Sequence, residues 1–398
     1  MSDKKNKSLK PGWRQVKFGD VVQLSKARSQ DPLADGIERY VGLEHLEPGD
    51  LRIRSWGNVA DGVTFTSVFK PGQVLFGKRR AYQRKVAVAD FSGVCSGDIY
   101  VLETKDSRIL LPELLPFICQ TDAFFDHAVG TSAGSLSPRT NWTSLADFEF
   151  ALPTTAEQKD IVEVLRASRI VADTQADALR NLQDLRQSTI DHLLRLPESG
   201  TFVRLEQVAT MQNGRPFPGD EYADEGTRLL RPGNLGASGY LTWLTDKTVC
   251  LDPKWEVSAS DFVIHPGDVV INLTAQSLED GFMGRVCLAR EHDKSLLNQR
   301  IGRFRCNEDT LRPEFLFRCL QTSRFRQHAH ANCEGSKVKH MFWQHLAKYE
   351  IAIPNIAAQE EVIAQCASID EAIGSLGSRL AASQQLAARL TNQLAGGT

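Results

Sequence analysis

The feature that most limits what this chain can fold into is an internal repeat. Residues Leu111–Ala128 (LPELLPFICQTDAFFDHA) and Arg312–Ala329 (RPEFLFRCLQTSRFRQHA) align at an offset of 201 positions. Pro112-Glu113 meets Pro313-Glu314, Gln120-Thr121 meets Gln321-Thr322, and His127-Ala128 meets His328-Ala329. The register continues without a gap through Gly134-Ser135, Trp142, Leu145-Ala146 and Ala146–Pro153, as far as Gln158 against Gln359. About a third of positions agree over some 55 residues at one offset, which chance does not produce. The 398 residues are therefore two modules of about 200. Their beginnings match loosely and need other offsets. Val16–Val21 resembles Val203–Val208, and Pro71-Gly-Gln-Val-Leu resembles Pro266-Gly-Asp-Val-Val. Scaffold similarity is concentrated after residue 111, divergence before it.

Each module ends alike. An alternating strand runs into a proline (EFALP, EIAIP), followed by a long 4,3-spaced pattern. In the first copy the seam is Ile161, Leu165, Ser168, Ala172, Gln175, Leu179, Leu182, Arg186, Thr189, Leu193 and Leu196. In the second it is Ile369, Ile373, Leu376, Leu380, Ser383, Ala387, Leu390 and Leu394. Sustained 4,3 spacing predicts coiled-coil helices of roughly 35–40 residues, about 50–60 Å long. Two such helices in one chain can cover each other's seams; the plainer alternative is that each packs on its own module. Pro197–Gly200 closes the first helix, and Gly396-Gly397 ends the second. Between the repeats, Val74–Phe76, Val86–Ala89, Ile99–Glu103, Val269–Ile271 and Val286–Ala289 read as short strands. Leu111–Ala128 and Arg312–Ala329 each read as one helix opened by proline. The expected fold class is α/β (α+β), with two repeated globular domains separated by two long antiparallel coiled-coil helices. The expected boundaries are a tail at 1–12, domains at 13–155 and 197–355, and helices at 156–196 and 356–398.

Composition narrows the function. No apolar run reaches the ~18–20 residues of a membrane span, and the polar, basic N-terminus has no signal-peptide character. The eight cysteines form no CxxC pair and none sits beside a histidine at metal-ligand spacing, as expected of core thiols in a cytoplasmic protein. Gly72–Lys78 fits GxxxxGK, but Arg79 stands where a P-loop needs Ser or Thr, and the intervening QVLF is a strand. GxGxxG, HExxH, GxSxG and an Asn-Pro-Pro-aromatic stretch are missing. No catalytic residue, metal site or resident cofactor is expected, and the chain is read as a non-enzyme.

The net charge of −2 hides local basic patches. Lys70–Asp90 carries six Lys/Arg against one acid. Within it Lys78, Arg79, Arg80, Arg84 and Lys85 surround Tyr82, the mixture that phosphates and guanine edges select. The plain alternative is a solvated basic hairpin. The second module has Asn272, Thr274, Gln276 and Ser277 at the corresponding place, amides and hydroxyls that suit adenine edges. A second matched loop offers Ser135, Arg139, Thr140 and Asn141 in one copy and Lys337, Lys339 and His340 in the other, each ending on a tryptophan (Trp142, Trp343) expected to anchor the core.

With these residues in view, the chain resembles the specificity subunits of type I restriction–modification systems. The resemblance is carried by Trp142…Ala151-Leu-Pro-Thr-Thr-Ala-Glu-Gln158-Lys-Asp-Ile161, by Trp343…Ala352-Ile-Pro-Asn-Ile-Ala-Ala-Gln359-Glu-Glu-Val362, by Gly12–Asp20 and by Pro71–Arg80. The second copy lacks the Glu of the family's Glu-Gln pair. The resemblance implies two target recognition domains docking on double-stranded DNA, helices acting as a spacer, two methyltransferase subunits and restriction/translocase subunits. It implies N6-adenine methylation with S-adenosylmethionine in the methyltransferase, and ATP and Mg in the restriction subunit. Gln158, Ile161, Gln359 and Val362 are the candidate methyltransferase contacts. The alternatives are a recognition adaptor of another defence system, a stand-alone DNA-binding protein, or a nuclease or methyltransferase in its own right.

Overall fold

The computed structural model describes residues 9–196 and 202–396. Residues 1–8 of the expected tail, the Pro197–Gly200 break and Gly397 lie outside the described residues. The chain forms two compact units. The first takes residues up to Ala176 together with those from Ser378 onward; the second is Asp177–Gly377.

The first unit is built on a four-stranded antiparallel sheet in the order Val22–Leu24, Ile99–Thr104, Val74–Gly77, Val86–Val88. The central strand Val74–Gly77 is buried along its whole length, which is why it reads as a continuous apolar run. A second sheet runs Gly57–Asn58, Arg39–Val41, Gly93–Cys95, Ser67–Phe69, with its middle pair parallel. Arg14–Lys17 pairs antiparallel with Glu149–Leu152 and ties the start of the module to its end.

The second unit repeats this topology strand for strand. Its main sheet runs Ala209–Asn213, Ile301–Cys306, Val269–Asn272, Val286–Leu288. Its second sheet runs Cys250–Leu251, Thr227–Leu230, Ser295–Leu297, Val263–Ile264, again with a parallel middle pair. Phe202–Arg204 pairs with Glu350–Ala352. The duplication thus extends through the early halves, where sequence agreement is thin. The Pro-Gly turns entering the central strands are matched too: Gly72 and Gly267 sit at φ +87° and +89°, which the second central position of a type II turn requires.

The five short strands appear where the apolar runs place them. The two proline-opened helices do not hold as single helices. Leu111–Ala128 divides into Leu115–Ile118 and Asp122–Gly130, with Pro112 ahead of the first, and Arg312–Ala329 divides into Pro313–Cys319 and Ser323–Asn332. The break falls on the repeated Gln-Thr. The Thr121 hydroxyl accepts from Phe124 N and donates to Ile118 O, and Thr322 does the same with Phe325 N and Cys319 O. A threonine that caps one helix start while binding the previous helix's last turn is favoured over a continuous helix at this point.

The long helices span Thr155–Leu193 and Ile356–Gly396. Leu196 lies beyond the first; every other seam position is buried or half-buried. In the first unit Val162 and Leu165 share a core with Leu394, beside Phe124, Phe148 and Phe150. In the second unit Arg186 pairs with Asp370, while Leu194 joins the same core as Val362 and Ile363, so the two helix segments there run antiparallel. No helix among the described residues is long and apolar enough to cross a membrane.

Candidate nucleic-acid interface

The loop at 78–85 leaves the buried end of the central strand and turns back through a short 3-10 turn at Ala81–Gln83. Arg80 and Arg84 flank that turn at φ +54° and +56°; they are the non-glycine residues with positive φ among those described. Such backbone costs of order 1 kcal/mol or more per residue and persists only where the surroundings enforce it. Here they do. Arg80 N donates to Pro138 O at 2.7 Å, and Thr140 N donates to Lys78 O at 3.0 Å. The basic loop and the Gly-Ser loop, 50-odd residues apart in sequence, are one surface.

Within it the cations are held in different ways. Asp98, at the end of the adjoining turn, accepts from Arg139 Nε at 2.8 Å and from Arg79 at 3.2 Å. These bonds, Arg139 first, hold its carboxyl below the usual carboxylate range despite partial burial. Arg79 and Arg80 both donate to Ser137 Oγ, at 3.1 and 3.2 Å, and their Nε atoms find no hydrogen-bond partner among the described residues. Lys78 lies over the Tyr100 ring at 4.6 Å. Lys85 donates to Leu43 O at 2.6 Å. Arg84 is stacked on Phe125, bonds Gln120 O and pairs with Asp122. Lys85 and Arg84 are thus held by backbone carbonyls, whereas Arg79 and Arg139 share Asp98, Arg79 and Arg80 share Ser137, and Tyr82 is 56% exposed in the same loop. Thr140 is buried; Asn141 caps the helix at Trp142–Ala146 by accepting from Ser144 N; Ser135 is exposed in the loop. Trp142 packs on the core, as does Trp343 in the second unit.

The second unit joins the equivalent loops. Thr274 pairs with His340 and Ala275 with Lys339, at the place where the first unit pairs Arg79 with Arg139. Gln276, Ser277, Lys337 and His340 are exposed, and Lys339 is half-buried. Asn272 is fully buried, and its amide donates to Thr274 O and Phe282 O. It shapes the loop and has no donor left for a base edge. Gly335, at φ +105°, makes the tip possible: a Cβ there would lie 2.1 Å from Val338 O.

Sequence reasoning missed Asp98, which orients two arginines; its only signal is its place in a Ser-Gly-Asp turn. It also missed two exposed apolar groups, Leu136 (90%) and Phe342 (48%), the latter stacked on His340. The expected methyltransferase contacts need correction. Gln158 and Gln359 are both 0% exposed. The Gln158 carbonyl accepts from Leu111 N, and its amide donates to Ile109 O and Pro153 O. Gln359 repeats this with Arg312 N, Thr310 O and Pro354 O. A buried amide whose hydrogen bonds are all internal has nothing to offer a partner. The repeated glutamine fastens the start of each long helix to its module. Ile161 and Val362 pack half-buried against the two cores.

No cluster of three or more potential metal ligands occurs among the described residues. The surface is two loops per unit, presenting guanidiniums and a tyrosine in one copy and amide, hydroxyl, ammonium and imidazole groups in the other.

No family model matches the chain. It is 29% identical over 197 residues to the type I restriction enzyme EcoDI specificity subunit of Escherichia coli, an alignment spanning 46% of this chain and 41% of that subunit. It is 21% identical over 392 residues to the MjaVIII specificity subunit of Methanocaldococcus jannaschii, covering 91% of this chain and 87% of that protein. The fold matches the type I restriction–modification S subunit of M. genitalium with TM-score 0.59 at 12% identity, covering 98% and 97% of the two chains. It matches a chain of a type I R-M system, solved to study complex assembly and conformational transition, with TM-score 0.60 at 20% identity and 98% coverage of both. The chain is thus similar in sequence to specificity subunits of type I restriction enzymes, spanning less than half the length of the first of them, and its duplicated modules and two long helices have the fold of the type I S subunit.

Proposed function

We propose that this chain is the DNA-recognition subunit of a type I restriction–modification complex and reads a two-part target on double-stranded DNA, one part with each unit. The observation that carries this is the pairing of one topology with two chemistries. At equivalent places, joined by equivalent backbone contacts, one unit presents Arg79, Arg80 and Arg139 and the other Thr274, Gln276 and His340. Phosphate contacts position a protein on a duplex, and base-edge contacts specify sequence. A frame that holds its loops by backbone hydrogen bonds while exchanging their side chains separates those tasks.

In this reading the chain carries out no bond chemistry. N6-adenine methylation, with S-adenosylmethionine, belongs to two methyltransferase subunits, and ATP- and Mg-dependent cleavage to restriction subunits. The site of action is the cytoplasm, where the genome is. The long helices act as the spacer that sets the gap between half-sites. The test is genetic. Adenine methylation mapped across the host genome should show a bipartite motif that disappears when this gene is deleted and returns on complementation. A methylation pattern indifferent to the deletion would overturn the proposal, as would methyl transfer by the purified chain alone.

A further inference from the structure

The matched stretch that ends each module changes character at one point. Around the second loop, Gly134-Ser135 and Trp142 are repeated as Gly335-Ser336 and Trp343, yet every residue between them differs. Leu136 falls on Lys337, Ser137 on Val338 and Arg139 on His340. In the first unit Leu136 stands at the tip, 90% exposed. A single exposed leucine is ordinary on a protein surface. This one is different in its setting. Its loop is fixed on both sides: Arg139 and Ala133 exchange backbone hydrogen bonds at 2.9 and 3.0 Å, Arg80 N holds Pro138 O, and two guanidiniums hold the neighbouring Ser137. The isopropyl group is thus presented from a braced support among Arg79, Arg80 and Arg139.

A cationic surface that approaches a duplex brings such a group to the base edges. The apolar feature there is the 5-methyl of thymine in the major groove. We infer that Leu136 is a specificity-determining residue of the first unit and contacts a thymine methyl in its half-site, while Lys337 at the same frame position of the second unit meets a polar edge or a phosphate. This rests on the DNA-reading role proposed above.

The experiment uses the full chain assembled with its methyltransferase subunits, and duplexes carrying the mapped target with each thymine of the two half-sites replaced in turn by deoxyuridine. Uracil differs from thymine only in the missing methyl. With the wild-type chain, one substitution in one half-site should weaken binding by about tenfold, the low end of what a lost methyl costs in a formed contact. Leu136→Ala should bind the thymine duplex about as weakly as the wild type binds the uracil one, and show no further loss on uracil. Leu136 touches no core, so the variant folds; an unchanged thermal midpoint verifies this. The inference is overturned if no single deoxyuridine affects the wild type, or if Leu136→Ala loses the same factor on uracil as the wild type does. The second result would mean that the methyl is read elsewhere, and a uniform loss on all duplexes would make Leu136 a general wedge between base steps. A wild-type complex with no preference for the mapped target would instead overturn the DNA-reading role itself.

Discussion

Gln158 and Gln359 illustrate how a repeated polar residue can be structural. Each is fully buried and makes three hydrogen bonds to backbone groups. Truncating either removes three hydrogen bonds made by a fully buried side chain, which should cost about 1–3 kcal/mol. Urea denaturation of Gln158→Ala and Gln359→Ala should show that loss; unchanged midpoints would mean that the glutamines are surface contacts after all. The arginines of the basic loop divide in the same way. Arg84 is stacked, ion-paired and bonded to a carbonyl, so Arg84→Ala should lower the thermal midpoint. Arg139 is half-exposed, and among the described residues its side-chain partner is Asp98. Arg139→Ala should leave the midpoint near wild type while weakening target DNA binding by about 1–3 kcal/mol and reducing its salt dependence if the contact is a phosphate.

At the scale of elements, the long helices carry the sharpest expectation. One heptad inserted into each adds roughly 10 Å, about three base pairs. If the helices set the gap between half-sites, the methylated motif should keep both half-sites and lengthen its gap by that amount; an unaltered gap would argue against a spacer. These helices are legible in the sequence because apolar residues recur at 4,3 spacing over many turns, a pattern that strands and loops do not generate. The seam residues from Ile161 to Leu193 and from Ile369 to Leu394 are indeed the covered ones. The central strands are legible because burial on both faces leaves an uninterrupted apolar run. The helix break at Thr121 and Thr322 is not, since apolar periodicity runs through it and only the hydroxyl's capping bonds interrupt the helix. Nor can the sequence show that residues 78–85 lie against 133–140. That contact depends on the return of the chain through Ile99–Thr104 and the two short helices, which no local pattern encodes. The same gap hides Asp98 and the backbone carbonyls that hold Arg84 and Lys85.

At the scale of the whole molecule, each unit also carries buried or half-buried ion pairs where a module meets a long helix, and the two differ. In the first, Asp50 gathers Arg54 and the helix residue Arg169. In the second, the helix supplies the acid: Asp370 accepts from Tyr240 at 2.6 Å and pairs with Arg186 and with the buried Arg318 at 2.8 Å. Burial pushes the Asp370 carboxyl up, but the bonds from Tyr240 and Arg186 and the charge of Arg318 more than reverse this and hold it below its ordinary value. Asp50 and Asp98 are depressed as well. A carboxylate depressed by folding stabilises above its unfolded pKa, near 4, and that contribution is lost as pH falls through the folded value. The thermal midpoint should therefore be flat from about pH 7 to 5 and fall below about pH 4. Asp370→Ala, which leaves Arg318 buried and unpaired, should cost about 3–5 kcal/mol at neutral pH and flatten part of the acid limb. Above these contributions to stability stands the central claim, that two units of one topology read two different half-sites. Its direct test is a map of methylated adenines in cells carrying either the wild-type chain or a chain with Arg79, Arg80 and Arg139 all replaced by alanine. Methylation in the variant should become tolerant of base changes in one half-site while the other half-site and the gap stay as they were; relaxation of both halves together, or of neither, would contradict the claim.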